Sequence, residues 1–234
     1  YMSDNGRPFP RCKTTLYDSG VRTPFVVHWP AGAKQGAVSD NLVSSIDVAP
    51  TIIALAGLEA PPSFAGKSFA SILQNPTATI RDYVHGEHNW HDYQAHERSV
   101  RSKTHLYINN AFPELPGTPP ADAVSSTTFQ EMRKLRDAGK LSPAQMGVFV
   151  TPRAAEELYD VQRDPQQLEN LAGKPEYAGV LAEMRGVYEA WVKETNDRVP
   201  DPPSRDGFDR ETGQRLMNAS HPSMATEFKE PTRR

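Results

Sequence analysis

The apolar run Phe25–Trp29 restricts the possible folds of this chain more than any other segment. It lies between Pro24 and Pro30, and its sequence is Phe-Val-Val-His-Trp. A short apolar run between two prolines is typical of a strand that is buried on both faces. Strands of this kind occur in sheets that are covered by helices, so we predict that residues 21–29 form a strand of an α/β domain.

Asp4 and Asn5 are the candidate metal ligands. They lie in a Ser-Asp-Asn-Gly turn that follows the apolar residues Tyr1 and Met2, which we interpret as the end of a strand. Ligands bind where strands end in α/β sheets, so the two side chains place hard oxygen atoms at the ligand-binding edge. Such oxygens suit Ca²⁺ or Mg²⁺ and not zinc. Calcium takes about six to eight oxygens, so the other ligands must come from elsewhere. Without further context, Asp-Asn-Gly is more often only a turn.

A helix is predicted directly after Asp47, which we interpret as its N-cap rather than as a catalytic acid. Pro50 falls in the first turn of this helix, and Gly57 ends it. A second, short helix is predicted at residues 66–73. The polar stretch 74–80 that follows is the predicted boundary between two domains.

Residues 77–197 are predicted to form a smaller α+β domain. Strand patterns occur at residues 81–87, 98–108 and 155–161. Between the last two strands lies a Pro-rich insertion, residues 111–153, with a helix predicted at residues 128–135 and a stop at Gly139. Insertions of this length form lids or partner surfaces, or are disordered. We expect a loop that borders the substrate cleft.

The longest predicted helix begins at Pro175 and ends at Trp191. Leu181, Met184, Tyr188 and Trp191 recur at helical spacing, so we predict that this stripe packs against the small sheet. Residues 198–234 are Pro-rich and polar. They can bury little surface, and we predict an extended or disordered tail that wraps the body or the second subunit of a homodimer.

Composition excludes some classes of protein. Hydrophobic residues make up 37% of the 234 residues and charged residues 24%, which is typical of one or two globular domains. The net charge of −3 gives no basic surface for nucleic acid, and no apolar run is long enough to cross a membrane. Cys12 is the single cysteine, so no internal disulfide forms, and we predict a partly buried thiol.

Histidines are concentrated in one part of the chain. Three hypotheses compete for this cluster: a transition-metal site completed by Glu87, a surface or interface cluster, and substrate recognition at the mouth of a cleft. We favour the third, with His88 and His91 donating hydrogen bonds to substrate hydroxyls and Trp90 as a wall. His88 and His91 share one face only if the segment is helical. The clustered histidines are His85, His88, His91, His96 and His105.

Five separate blocks of the sequence resemble, in order and spacing, the C-terminal half of a sulfatase. The resemblance covers residues 1–197. Within it, residues 5–10 and 126–130 are most similar to the heparan N-sulfatase (sulfamidase) branch. The five blocks are Ser3–Gly6 with Lys13 before Thr-Thr-Leu-Tyr, Gly20–Pro30, Ser45–Thr51, Glu157–Asp160, and Asp164-Pro165 with Glu169–Ala172.

The resemblance implies a fold and a site. Residues 1–76 would be the end of an alkaline-phosphatase-like mixed-sheet α/β domain, followed by the smaller α+β domain with an antiparallel sheet of four strands and a long helix. Asp4 and Asn5 would bind Ca²⁺, and Lys13 would be the catalytic cation that binds the sulfate. A fixed ammonium beside a divalent ion stabilises the charge that develops on sulfuryl oxygens.

The resemblance also implies parts that this sequence lacks. The sulfatase nucleophile is a formylglycine made from Cys or Ser in a Cys-X-Pro-Ser-Arg type motif, and neither that motif nor the family's N-terminal acidic pair occurs here. Cys12 lies in Arg-Cys-Lys-Thr and is not that nucleophile. We therefore expect a C-terminal fragment that is inactive on its own.

The function implied is hydrolysis of a sulfuric ester or sulfamate, on a sulfated carbohydrate such as a glycosaminoglycan, by a periplasmic or secreted enzyme. The sulfamidase branch tends to place Arg where this chain has Lys13, so ester and sulfamate both stay open. Two alternatives also stay open. One is a phosphoester or phosphonate hydrolase of the same superfamily, and the other is a sulfatase-like binding module without catalysis.

Overall fold

A four-stranded antiparallel sheet forms the centre of the structure, a computed structural model that describes residues 1–216. The strands lie in the order in which they follow one another along the chain, and each is antiparallel to its neighbour. The predicted antiparallel sheet is therefore confirmed. The strands are β1 (Val84–Trp90), β2 (Gln94–Arg101), β3 (His105–Asn110) and β4 (Glu156–Asp160).

Helices precede, interrupt and follow the sheet. In the described residues they are α1 (Asp18–Val21), α2 (Val48–Leu55), α3 (Ala70–Gln74), α4 (Ala121–Val124), α5 (Thr127–Asp137), α6 (Pro143–Met146) and α7 (Ala178–Thr195). Two short 3₁₀ helices, Ser45–Asp47 and Pro175–Tyr177, lead into α2 and α7. The helices predicted after Asp47, near residues 66–73 and 128–135, and from Pro175 are all confirmed. Gly57 and Gly139 follow α2 and α5 with φ angles of 75° and 66°, in the left-handed conformation that ends helices.

One face of the sheet packs under α7. Val100, Tyr107 and Leu158 on the strands form a buried cluster with Leu181 and Met184 of the helix. Tyr188 packs partly buried against the same cluster. The predicted apolar stripe of the long helix is therefore a core contact, as its spacing indicates.

The opposite face of the sheet packs against the N-terminal segment. Leu16 forms a buried cluster with Leu106, Ile108 and Tyr159. Gly86 permits this close contact, because a Cβ atom at that position would lie 3.3 Å from Leu16 Cδ2 and 2.6 Å from Ser99 Oγ. The segment with Asp4, Asn5 and Lys13 is thereby held against the small sheet.

The prediction of a buried strand at residues 21–29 is wrong for the described structure. Met2 and Phe25 form an isolated antiparallel bridge, and no longer strand is present here among residues 1–216. Phe25, Val26 and Val27 are 39%, 58% and 40% exposed. The physical reason is that a strand is buried only by neighbouring strands and helices, and the described residues supply little beyond this one bridge.

The prediction of a single strand at residues 98–108 is also wrong. This segment contains parts of β2 and β3, joined by a turn at residues 102–104 in which Ser102 N donates to His105 O at 2.9 Å. The Ser102 hydroxyl accepts from Thr104 N and His105 N. A serine side chain replaces the glycine or proline that usually marks a turn.

Asp47 occupies the N-cap position of α2, as predicted, but its side chain makes no capping hydrogen bond to that helix. The fully buried carboxylate instead accepts from Ser44 N at 2.8 Å and Lys67 N at 2.7 Å, and it pairs with Arg81. The Asp47 carboxylate thus links three segments: Ser44 before α2, Lys67 before α3 and Arg81 before β1. This ion pair crosses the boundary predicted at residues 74–80. The division into 1–76, 77–197 and 198–234 stays a prediction.

The insertion 111–153 is folded against the sheet. It contains α4, α5 and α6, and the Ser126 side chain caps α5 by accepting from Phe129 N. Val124, Phe129 and Val148 form a buried cluster with Tyr93. The insertion is therefore packed onto the end of the β1–β2 hairpin.

Part of the predicted tail wraps the body. Gly207 N donates to Asp92 O at 2.8 Å, and Asp206 Oδ1 accepts from Gln94 N at 2.7 Å. The Arg210 guanidinium donates to Gln94 O and Pro116 O. The rest of the predicted tail, residues 217–234, lies outside the described residues.

Among the described helices, none combines the length and the apolar character that a membrane crossing needs.

Candidate functional site

A cavity lies between the N-terminal segment, the small sheet and the insertion. Residues 11 and 14–17 line it from one side, and residues of the β1–β2 hairpin and the end of β3 line it from another. The insertion contributes residues 112, 115–118, 120, 147–148 and 153. Arg210, from the segment that wraps the body, completes the wall. The predicted position of the insertion beside a cleft is consistent with this arrangement.

Three polar side chains form a row across the sheet at this cavity: His88 on β1, Glu97 on β2 and Asn110 on β3. His88 lies opposite Glu97 and Glu97 opposite Asn110 in the strand register. Residues directly opposite in antiparallel strands project on the same face. All three line the cavity, and we call them the polar row. It continues the face on which Leu106 and Ile108 contact Leu16.

Glu97 is the buried centre of the polar row, with 6% of its surface exposed. Arg153 Nη1 lies 2.5 Å from Glu97 Oε1, and His88 Nδ1 lies 3.5 Å from Glu97 Oε2. Burial alone would raise the pKa of Glu97, but the interactions with His88 and Arg153 outweigh it and lower the pKa to about 2. The same Glu97 carboxylate raises the pKa of Arg153 in spite of its burial. The two groups therefore form a charged pair at neutral pH.

The polar row also contains polar atoms without a partner. In the described structure, His88 Nε2 and the Nδ2 atom of Asn110 are buried and make no hydrogen bond, and His88 Nδ1 has only the 3.5 Å contact with Glu97 Oε2. Asn110 Oδ1 accepts from Phe112 N at 3.1 Å, which fixes the orientation of the amide. Leaving a buried donor or acceptor unpaired costs about 1 to 3 kcal/mol.

Tyr17 ties the N-terminal segment to the sheet beside the cavity. Its hydroxyl donates to Glu157 Oε2 at 2.7 Å, and Tyr159 donates to the same oxygen at 2.8 Å. Burial, followed by the charge of Glu157, raises the pKa of Tyr17, so it stays a hydrogen-bond donor. Arg11 lies over the Tyr17 ring, with 3.7 Å from Cζ to the ring centre.

His88 and His91 both line the cavity, although they do not lie on a helix, and their role in substrate binding stays a prediction. A bulge in the strand register between His88 and Trp90 precedes His91. The His91 side chain is 45% exposed, and its Nδ1 atom lies 3.1 Å from Asp92 Oδ2. His91 is thus accessible at the mouth, whereas the nitrogens of His88 are shielded.

Trp90 lies outside the cavity lining. Its indole Nε1 donates to Arg205 O at 2.9 Å, on the segment that wraps the body. Two other clustered histidines are elsewhere: His85 stacks on Trp191, and His96 is buried beside Arg98. The histidine cluster therefore divides among several places in the fold.

Asp4 and Asn5 lie on a loop beside α1. Asp4 Oδ1 accepts from Asn5 N at 3.0 Å, and Asn5 Nδ2 donates to Gly6 O at 2.6 Å. Gly6 N donates to Gly20 O, and a Cβ atom at Gly6 would lie 2.1 Å from Ser19 O, so only glycine fits there. Among residues 1–216, the hydrogen bonds of both side chains thus stay within their own turn.

The donor chemistry of Asp4 and Asn5 fits calcium, but the number of donors is small. Their carboxylate and amide oxygens are the hard ligands that Ca²⁺ prefers, and calcium takes about six to eight of them. Among residues 1–216, no three His, Cys, Asp or Glu side chains are placed to hold a metal ion. A complete calcium site needs oxygens from beyond the described residues. The transition-metal hypothesis for Glu87 and the histidines finds no support in this part of the chain.

Lys13 bonds to the insertion. Its Nζ atom lies 3.0 Å from Asp122 Oδ2, in the first turn of α4, and its side chain is 21% exposed. The Lys13 ammonium makes no bond to Asp4 or Asn5 in the described structure. The three predicted site residues lie on one segment but do not touch.

The sequence did not single out Glu97, Asn110 or Arg153. Asn110 and Glu97 lie opposite each other only through the strand register, and Arg153 reaches Glu97 from the end of the insertion. One signal was present: Asn110 ends the mostly apolar run that begins at Leu106, where a polar side chain marks a change of environment.

Comparison with known proteins identifies the family. The model of the C-terminal part of N-sulphoglucosamine sulphohydrolase matches residues 11–110. An ulvan-active sulfatase of Formosa agariphila is 33% identical over 199 residues, which are 84% of this chain and 33% of that protein. The chain belongs to the sulfatase family. Human N-sulphoglucosamine sulphohydrolase is 30% identical over 209 residues, which cover 84% of this chain and 41% of the human sulfatase.

The fold agrees with this identification. A solved structure described as a 2-O GAG sulfatase aligns with a TM-score of 0.59 at 24% identity, over 84% of this chain and 36% of that one. The predicted fold class, an α/β sulfatase fold with an antiparallel C-terminal sheet, is confirmed. This sulfatase chain spans between a third and two fifths of the length of the two curated relatives above.

Proposed function

We propose that this chain is part of an enzyme that hydrolyses a sulfate ester or sulfamate on a carbohydrate. The observation that supports the proposal is the cavity, which is lined by Arg11 and residues 14–17, on either side of Lys13 in the sequence, together with His88 and His91. Asp4, Asn5 and Lys13 themselves lie outside this lining. Relatives named as sulfatases of ulvan and of N-sulphoglucosamine support a sulfated saccharide as substrate. In this proposal the N-terminal segment binds the sulfate and the small domain binds the sugar.

Lys13 would bind the sulfate through its ammonium. Its exposed ion pair with Asp122 is of the kind that contributes about 0 to 1 kcal/mol, so a sulfate can replace the carboxylate at small cost. Asp4 and Asn5 would hold a divalent ion, which supplies further positive charge for the sulfuryl oxygens. The nucleophile would come from residues outside this sequence, which lacks the Cys-X-Pro-Ser-Arg motif.

Exposed apolar side chains support the proposal that residues 1–76 complete a larger domain. Exposed apolar patches on a protein mark surfaces that a partner covers. We propose that the rest of the sulfatase α/β domain covers them. Export to the periplasm or the medium, and a homodimer, are further proposals that rest on the family alone. Exposed aliphatic side chains here include Val38 (85%), Leu58 (66%), Ile52 (62%), Val26 (58%) and Ile46 (53%).

The test compares hydrolysis of an aryl sulfate and an aryl phosphate by the full-length protein. We expect kcat/KM for the sulfate to exceed that for the phosphate, and a calcium chelator to abolish turnover. Faster hydrolysis of the phosphate would support the phosphoester hydrolase instead. Turnover of neither substrate, with retained binding of sulfated saccharide, would support a binding module.

A further inference from the structure

We infer that the polar row, with Arg153 behind it, binds uncharged hydroxyl groups of the saccharide that carries the sulfate. The inference rests on the proposed sulfatase function, and it assigns binding or positioning roles to Glu97, Asn110 and Arg153. It goes beyond the prediction for His88 and His91 because it adds Glu97, Asn110 and Arg153, which no sequence motif indicated.

Hydrogen-bonding capacity at the floor is unused. The Nδ2 donor of Asn110 and the Nε2 atom of His88 have no partner in the described structure, whereas His88 Nδ1 faces Glu97 Oε2 at 3.5 Å. Glu97 has about four lone-pair sites, of which Arg153 takes one and His88 approaches a second. Donors and acceptors thus alternate along the row, and a hydroxyl group can serve both because it donates one hydrogen bond and accepts others.

The charges of the floor favour a neutral ligand. Glu97 and Arg153 neutralise each other at 2.5 Å, so neither is a free charge for an ionic group. Arg210 is paired with the Asp206 carboxylate at 2.6 Å, whereas Arg11, on the N-terminal side of the cavity, donates to the neutral Gln166 O at 2.9 Å and keeps its positive charge. A second sulfate or a carboxylate at the floor would face the Glu97 carboxylate, which would repel it.

Position supports the hydroxyl edge of the sugar rather than its sulfate. The polar row lies on the sheet, across the cavity from residues 14–17 that follow Lys13. A saccharide whose sulfate points toward the N-terminal segment therefore turns its other substituents toward the sheet. Because the free nitrogens are shielded from water in this structure, a hydroxyl reaches them only when cavity side chains shift.

The experiment uses Asn110→Asp in the full-length protein. This variant keeps an oxygen that accepts from Phe112 N, removes the free donor, and places a carboxyl group opposite Glu97. The aryl sulfate therefore serves to detect any general effect of that added group. Asn109→Asp is the matched control, because Asn109 lies on the opposite face of β3 and accepts from Tyr188. Two substrates are compared: an aryl sulfate without sugar hydroxyls, and the sulfated monosaccharide that the wild type hydrolyses best.

We expect Asn110→Asp to lower kcat/KM for the sulfated monosaccharide about tenfold or more, mainly through KM, as for loss of a buried hydrogen bond. Turnover of the aryl sulfate should change less than twofold, and Asn109→Asp should leave both substrates unchanged. With the wild type, kcat/KM for a monodeoxy analogue that lacks the bound hydroxyl should fall by the same factor. With Asn110→Asp, removal of that hydroxyl should cause no further loss of kcat/KM. His88→Gln provides a second variant if Asn110→Asp does not fold.

Equal losses on both substrates would overturn the inference, because they indicate a structural role. No loss on either substrate would overturn it as well, and would leave buried water as the partner of the free nitrogens. If the wild type hydrolyses no sulfate, the proposed function fails, and saturation-transfer NMR with the unsulfated monosaccharide then decides. If the wild type gives saccharide signals and Asn110→Asp abolishes them, the inference of saccharide binding at the floor is supported. If the wild type gives no such signals, the inference is overturned.

Discussion

At the scale of single residues, the ion pair of Glu97 and Arg153 determines the chemistry of the cavity floor. Glu97 is almost fully buried, and a charged group in that position is tolerated only with a partner. Removing one member of a buried pair leaves the other as an uncompensated charge, which costs more than the pair itself contributes. The polar row is therefore sensitive to both the identity and the protonation of Glu97.

Glu97→Gln should lower the free energy of unfolding by about 3 to 5 kcal/mol at pH 7, because Arg153 loses its partner. The folded pKa of about 2 lies below the ordinary value of 4.5, so the charge of Glu97 stabilises the fold above pH 4.5. That stabilisation is lost as the pH falls toward 2, and the difference between wild type and variant should shrink over this range. Denaturant titrations at several pH values measure it.

Glu87→Gln is the control for that titration, because Glu87 lies on β1 but is exposed. It should change stability by less than about 0.5 kcal/mol at every pH. A Glu97→Gln difference that is independent of pH between 4.5 and 2 would contradict the depressed pKa.

Lys13→Ala should leave the fold intact and impair catalysis. Loss of an exposed ion pair with Asp122 changes stability by about 0 to 1 kcal/mol. Loss of a fixed charge on a developing oxyanion costs about 10²- to 10³-fold in kcat. Thermal unfolding and aryl sulfate kinetics of the full-length protein check both values. Asp122→Asn is the control: it removes the ion-pair partner of Lys13 and should retain activity. If Lys13→Ala keeps the kcat of the wild type, Lys13 takes no part in the reaction.

At the scale of elements, local patterns predicted the helices, and neighbours determined the strands. Residues 128–135 and the stripe from Leu181 carry a 3.6-residue period within one segment, and both helices form. Burial of residues 25–27 depends instead on strands beside them, so the apolar run alone could not settle their structure. The turn at residues 102–104 rests on the Ser102 hydroxyl, which composition does not distinguish from a polar strand position.

Gly186→Ala should stabilise the protein by about 0.5 to 1 kcal/mol, because alanine is the better helix former. Gly186 lies within α7, and a Cβ atom there meets nothing within 4 Å. Gly139→Ala is the matched control: it also meets nothing, but its φ of 66° strains a residue with a Cβ atom, so it should destabilise. Equal effects of the two substitutions in denaturant unfolding would contradict the assigned end of α5.

At the scale of the whole molecule, the cavity combines parts that are far apart in the sequence. Local enrichment indicated His88 and His91, which line the cavity, whereas sequence motifs indicated Asp4, Asn5 and Lys13, which lie outside its lining. Glu97, Asn110 and Arg153 could not be predicted, because they meet only through strand register and the fold of the insertion. Site residues that act within one segment leave a local pattern, whereas those that meet across the sheet do not.

The exposed apolar surface of residues 1–76 leads to a prediction about domain completion. Ile52→Ala should change the stability of the isolated 234-residue chain by less than about 0.5 kcal/mol, because Ile52 is 62% exposed there. In the full-length sulfatase the same substitution should cost about 2 to 5 kcal/mol, as for a buried isoleucine. Denaturant unfolding of both proteins provides the comparison. A small effect in both would show that this surface stays uncovered.

Metal content and aryl sulfate turnover of the full-length protein, wild type against Asp4→Ala, test the proposed site most directly. We expect the wild type to bind a divalent ion and to hydrolyse the sulfate, because Asp4 and Asn5 supply two of the oxygens that hold the ion. Asp4→Ala should lose both the ion and turnover while its thermal unfolding in chelator matches that of the wild type. An Asp4→Ala protein that keeps its ion and its turnover would contradict the assignment of the N-terminal segment to the reaction.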